Sequence, residues 1–212
     1  MNTPFVVGVA GGSGSGKTAL CRALTSGLGP DRVAVLCHDA YYRDRSELAA
    51  AERAALNYDI PDAFDAGLFL DHLRALRSGQ SIRPPRYCFV THRRIGADAV
   101  VEPRPVVLVE GILLLHEPEA RALLDVAFFL DVPDQVRLAR RIARDTAERG
   151  RTRRSVLSQF EATVRGAHTA YVEPTKAHAD LVLFNVARVD RLAEVAAAVI
   201  QDRMRRRVPQ AA

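Results

Sequence analysis

The sequence predicts an α/β fold, a parallel five-stranded sheet flanked by helices, on three observations. Five short, nearly unbroken apolar runs are spread along 212 residues, and amphipathic stretches of helical length separate them. The first run also passes directly into a glycine-rich turn that opens the first of those stretches. Strands covered on both faces read as continuous apolar runs, and strand–helix alternation is the pattern of a parallel sheet. At 48% hydrophobic and 26% charged, the chain can bury one core, and its length suits a single domain spanning 1–212.

The expected strands are FVVGVA (5–10), VAVLC (33–37), PVVLVEG (105–111), VAFFLDV (126–132) and DLVLF (180–184). The expected helices lie near 17–28, 65–78, 134–149, 152–171 and 188–206. Segment 80–103 departs from the alternation. It carries prolines before RYCFVTH, then IGADAVVEP, and a turn at Gly96-Ala97-Asp98 between two β-rich runs predicts an inserted hairpin. The cationic tail RMRRRVPQAA reads as a solvated last helical turn whose charges complement the helix dipole.

Composition excludes several classes. The longest apolar runs are too short to span a bilayer and carry a carboxylate, so no membrane partner is expected. The N-terminus has no basic segment followed by a long apolar one, and Cys21, Cys37 and Cys88 lack metal or disulfide spacing. A reducing, cytoplasmic location is therefore expected. The formal charge is +5, but 28 arginines stand against two lysines and are interspersed with 25 acids. That is coding bias spread over the chain, so no nucleic-acid partner is expected. Within such bias, a retained lysine marks a place where a compact point charge is needed and a planar fork is not.

Lys17 is one of the two. It belongs to GVAGGSGSGKTAL, in which Gly11-x-x-x-x-Gly16-Lys17-Thr18 follows a strand and opens a helix, the context a P-loop requires. The fold is thus expected to be of the P-loop NTPase type. Backbone amides across Gly11, Gly12, Ser13, Gly14, Ser15 and Gly16 would cradle phosphates, aided by the helix N-terminus. Lys17 would reach the β- and γ-phosphates, and Thr18 would ligate Mg²⁺. Glu110 ends the strand VVLVE, where it resembles a Walker B acid that holds Mg²⁺ directly or through water. Asp39 lies just past the strand VAVLC, where the crevice of an open sheet forms. It could orient an attacking hydroxyl, take its proton and share the metal, or it could cap a helix.

Beyond the glycine-rich loop, HDAYY, NYDIPDAFD, PRYCFVTHRR, VEGILLL, RRIARDTAERGR, LSQF and EPTKAHAD occur in the order seen in uridine–cytidine kinases. The resemblance runs from about residue 6 to residue 184. It implies phosphorylation of the 5′-hydroxyl of uridine and cytidine with ATP or GTP and Mg²⁺, and a homotetramer. It makes Asp39 the general base, with Lys17 and Arg144 as further catalytic groups. Tyr42 would line the nucleoside pocket, Asp62 would accept from the ribose hydroxyls, and Phe64 would pack beside it. The hairpin would read the base through Tyr87, Phe89 and His92. Tyr87 and Phe89 share strand parity, whereas His92 joins them only if a turn or bulge falls near Val90 and Thr91. Cys88 replaces the family's Asp and by alternation points away. About 137–160 resembles an arginine-rich helical lid, in which Arg141 and Gln159 face the nucleoside and Arg144, Arg149 and Arg151 the phosphates. Arg137 and Arg140 are read as solvated surface. NVARVD after the last strand departs from the family's glycine-containing loop, so no adenine contact is assigned.

Overall fold

The computed structural model of the chain describes residues 3–97, 99–186 and 188–207. In chain order the elements are β1 (Phe5–Gly11), α1 (Lys17–Leu28), β2 (Val33–Cys37), α2 (Ala50–Ala55), α3 (Ala66–Arg77), β3 (Tyr87–Cys88) and β4 (Arg93–Arg94). They continue with β5 (Val106–Gly111), α4 (Pro118–Ala122), β6 (Val126–Asp131), α5 (Asp134–Glu148), α6 (Arg153–Gln159), α7 (Arg165–Ala167), β7 (Leu181–Phe184) and α8 (Val189–Arg207). All five expected strands form one sheet in the order β2-β5-β1-β6-β7, every pair parallel.

Alternation along the strands sorts the core into two layers. Phe5, Val7 and Val9 of β1 face one side with Leu108 and Phe128, where Leu20 and Leu24 of α1 and Ala196 and Ile200 of α8 cover them. Val6, Val107 and Val109 face the other side, against Phe69, Leu73 and Leu76 of α3. Each such fully buried side chain contributes roughly 1.5–3 kcal/mol by leaving water. A third cluster gathers Tyr42, Tyr58, Phe64 and Tyr87 against Ala10, Ile112 and Phe129. It caps the carboxyl ends of the strands, where the crevice of an open parallel sheet lies. Asp65 caps α3 by accepting from the Leu68 amide at 3.3 Å.

Two expectations change. The single helix over 152–171 is present but not uniform: after Gln159 it widens into π-turns at Phe160–Val164 and His168–Val172. The hairpin exists, but its reversal is not at Gly96-Ala97-Asp98. Tyr87 pairs with Arg94 and Cys88 with Arg93, so the turn is Phe89–His92. Gly96 lies in the returning arm and accepts from the Arg86 amide, while Asp98 is outside the described residues. An Ile82–Val101 bridge closes the hairpin's base. Of the cationic tail, Arg203 and Arg207 pair with Asp180 and Asp125, while Val208–Ala212 lie outside the described residues.

Candidate active site

The glycine-rich turn wraps the carboxyl end of β1 and the start of α1. Gly14 has φ 82°, which side chains rarely adopt, and a Cβ there would run into the Arg137 carbonyl. Lys17 is buried, and its Nζ donates to the Gly11 and Gly12 carbonyls at 2.9 and 3.1 Å. Burial lowers its pKa, opposed by Asp39 and Glu110. The Thr18 hydroxyl donates to Glu110 Oε2 at 2.9 Å, and burial raises that carboxyl's pKa against the pull of Lys17.

Asp39 sits on the helical turn His38–Tyr41 that follows β2. Its neighbour His38 is fully buried and stacks on Phe64 with centroids 4.3 Å apart and planes at 6°. Burial pushes the imidazole down to about 4, so it packs as a neutral ring. Phe64 is thus the packing residue it was expected to be. Asp39 Oδ1 is buried and has no hydrogen-bond partner among the described residues.

Two openings meet at Asp39. The smaller spans about 310 Å³, part of it open to solvent, and is lined by Lys17, Thr18, Cys37, Glu110 and Gly111. The larger, about 530 Å³, is lined by Tyr42, Tyr58, Asp59, Tyr87, Phe89 and His92 on one side. Arg141, Arg144, Arg149, Arg151 and Gln159 line its other side. Four residues border both openings: Ser13, Asp39, Ile112 and Arg144. Asp39 is the carboxylate among them and Arg144 the cation.

The Phe89–His92 turn supplies what strand parity denied. His92 takes φ 53° and swings back beside Tyr87, its Nδ1 3.4 Å from the phenol oxygen, and stacks on Tyr58 at 4.5 Å and 11°. Burial and the nearby Arg151 and Arg149 lower its pKa, which leaves the ring neutral at pH 7. Phe89 lies 5.3 Å from Tyr87, under the Arg149 guanidinium at 4.0 Å. Cys88 points out of the cleft and bonds to Thr91, so it supports the turn. Arg94 anchors the hairpin to Asp65 and to the Tyr42 carbonyl at 3.1 and 2.8 Å.

Asp62 does not reach this cleft. It is exposed on the turn Pro61–Ala63, and its carbonyl accepts from Arg43. Three residues earlier in the same NYDIPD segment, Asp59 is 7% exposed, lines the cleft and lies 4.0 Å from Arg141. Burial raises its carboxyl pKa, with Arg141 opposing. Asp59 and Tyr58 were both missed. The turn at Pro61 decides which acid faces inward, and no residue pattern announces that.

On the lid, Arg141 donates to Ser13 Oγ and Gln159 Oε1, each at 2.8 Å, and Arg151 shares Gln159. Gly150, at φ 63°, turns the chain between Arg149 and Arg151. Arg137 and Arg140 are not solvated surface. The Arg137 side chain is 1% exposed, donates from Nε to the Val132 carbonyl at 3.2 Å and pairs with Asp134. Arg140 reaches the Ser15 carbonyl at 3.3 Å, which also accepts from Asn185 at 2.8 Å. Asn185 opens the NVARVD segment that departs from the family pattern, and of that segment Ala187 lies outside the described residues. The phosphate loop is therefore braced from α5 and from the end of β7.

That bracing is tight at Gly12, where a Cβ would overlap the Arg137 guanidinium and lie 2.9 Å from His168 Nδ1. Overpacking of this kind costs about 1–3 kcal/mol of stability. Gly12→Ala is accordingly expected to lower the Tm of the protein in thermal unfolding. An unchanged Tm would contradict the packed contact.

A parallel sheet, a glycine-rich turn between β1 and α1 and an arginine-lined cleft beside it are the architecture of a P-loop kinase. The pattern of the phosphoribulokinase / uridine kinase family matches residues 6–192, and the chain belongs to that family. It is 47% identical over 179 residues to the uridine kinase of Chloroflexus aurantiacus, covering 84% of this chain and 86% of that one. It is 41% identical over 207 residues to the uridine kinase of Alkaliphilus metalliredigens, covering 96% and 100%. The phosphoribulokinase of Rhodobacter spheroides shares the fold, with a TM-score of 0.64 at 16% identity over 88% of this chain and 72% of that one.

Proposed function

We propose that this chain transfers the γ-phosphoryl group of ATP or GTP to the 5′-hydroxyl of uridine and cytidine, yielding UMP and CMP. The observation that carries this reading is the meeting of two openings at Asp39 and Arg144, one beside the phosphate loop and one walled by aromatics. An attacking hydroxyl presented from the larger opening would meet the terminal phosphate at that junction. Asp39 takes the hydroxyl proton. The loop amides and Lys17 hold the triphosphate, and Arg144, Arg149 and Arg151 take up the charge that spreads over the equatorial oxygens. Asp59 accepts from the ribose hydroxyls in the role first expected of Asp62, with Arg141 and Gln159 beside it. Tyr87 and His92 face the pyrimidine edge, and Tyr42, Tyr58 and Phe89 pack the ring and sugar. Closure of the lid excludes water that would otherwise take the phosphoryl group.

Thr18, Glu110 and Asp39 fit Mg²⁺. They offer a hydroxyl and two carboxylates on one small opening, and one Asp39 oxygen lacks a partner. Mg²⁺ keeps several waters and is ordinarily held by one or two carboxylates together with phosphate oxygens. When bound, the ion neutralises charge on the β- and γ-phosphates.

An ADP-release assay across uridine, cytidine, ribulose 5-phosphate and pantothenate tests the reading. Uridine and cytidine are expected to drive turnover, and turnover with only one of the other two would overturn it. His92→Ala is expected to lower kcat/KM for both nucleosides by about tenfold, the worth of a buried hydrogen bond, with KM for ATP unchanged. Parental efficiency on both nucleosides would remove His92 from the base site.

A further inference from the structure

Asp145 does not line the cleft, yet four of the arginines that do converge on it. Its side chain is 1% exposed, on the inner face of α5. Arg144 Nη2 lies 2.8 Å from Oδ1, Arg149 Nη1 3.4 Å, Arg141 Nε 3.5 Å from Oδ2, and Arg151 Nη1 3.9 Å. The Arg149 and Arg151 amides donate to the Asp145 carbonyl at 3.2 and 3.1 Å, so the chain turns around this residue before entering α6. Four cations packed this closely repel one another, and one buried carboxylate behind them offsets that repulsion.

The pairing is mostly by charge and not by directed bonds. Among the described residues, only Arg144 Nε makes a well-aligned bond to the Asp145 side chain, at 2.8 Å. Arg141 Nε, Arg144 Nη2 and Asp145 Oδ2 have no hydrogen-bond partner among the described residues. The guanidiniums are thus gathered while donors remain unspent, and the cluster keeps an excess of positive charge directed at the cleft.

We propose that Asp145 is a positioning residue for phosphoryl transfer: a buried counter-charge that assembles Arg144, Arg149 and Arg151 in the orientation that receives the phosphates and holds Arg141 beside them on the ribose side. The proposal rests on the reading of the cleft as a triphosphate site, but its signature needs no nucleoside. Without the carboxylate the arginines seek another anion. Asp145→Asn is therefore expected to lower kcat with ATP and uridine by about 30-fold or more while changing KM for uridine less than about threefold. Inorganic sulfate should inhibit the variant at about tenfold lower concentration than the parent. It should also raise the variant's Tm more than the parent's. Asp145→Glu keeps the charge but shifts it by a methylene. It is expected to fold, to bind sulfate as the parent does, and to lose part of kcat. Near-parental kcat in Asp145→Asn, lost activity in Asp145→Asn with parental sulfate sensitivity, or raised sulfate sensitivity in Asp145→Glu would overturn the proposal. If the parent phosphorylates no nucleoside but the sulfate contrast holds, the proposed reaction fails and the counter-charge role stands.

Discussion

Asp39→Asn is expected to lower turnover by about 10²–10⁴, the usual contribution of a positioned general base. Asparagine keeps the size and one acceptor oxygen but cannot take a proton from the attacking hydroxyl. ATP binding should largely survive, because Lys17 and Thr18 are held by hydrogen bonds to Gly11, Gly12 and Glu110 and not to residue 39, and uridine binding should change little. Calorimetric titration of both substrates alongside steady-state kinetics separates these effects. Near-parental turnover would remove Asp39 from the chemistry. A collapse of ATP affinity would instead assign Asp39 chiefly to holding the triphosphate. The residue is exposed to both openings while one oxygen is buried without a partner, an arrangement that leaves it poised for an incoming group and not committed to the fold.

The second large effect separates two acids three residues apart. Asp59→Asn is expected to raise KM for uridine by about 10–100-fold, because hydrogen bonds to a charged group are worth about 1.5–3 kcal/mol. Asp62→Asn, at an exposed turn, is expected to stay within about twofold of the parent. The pair is best measured side by side, with 2′-deoxyuridine as a further acceptor. If Asp59 reads the 2′-hydroxyl, its replacement narrows the gap between the two nucleosides. The reverse pattern, a silent Asp59 and a damaging Asp62, would mean that segment 58–63 rearranges when substrate binds.

These two residues also mark where the sequence stops being legible. The sheet was readable because each strand is buried on both faces, so β1, β5 and β6 are unbroken apolar runs. The phosphate loop was readable because its glycines and Lys17 have few other uses at that spacing. Within NYDIPDAFD, both acids are plausible ligands by type, and only the turn at Pro61 sends Asp62 outward and Asp59 inward. The hairpin is present, but the position of its turn was hidden in a similar way. Gly96 is the obvious turn residue, but the chain reverses at Phe89–His92 with a histidine at positive φ, and that reversal brings His92 to Tyr87. Arg137 and Asp145 were hidden for another reason. A charged stripe along a helix ordinarily faces water, yet here that stripe faces the phosphate loop and the other lid arginines, so its charges are buried among one another.

On the proposed function, the hydroxyl that reaches Asp39 is the 5′-hydroxyl of a pyrimidine ribonucleoside. The most direct test is to incubate the protein with ATP, Mg²⁺ and uridine and to resolve the phosphorus products by ³¹P NMR. Uridine 5′-monophosphate and ADP are expected in equal amounts, with little free phosphate. Free phosphate without a nucleotide product, or phosphate attached at the 2′- or 3′-position, would contradict the proposed function.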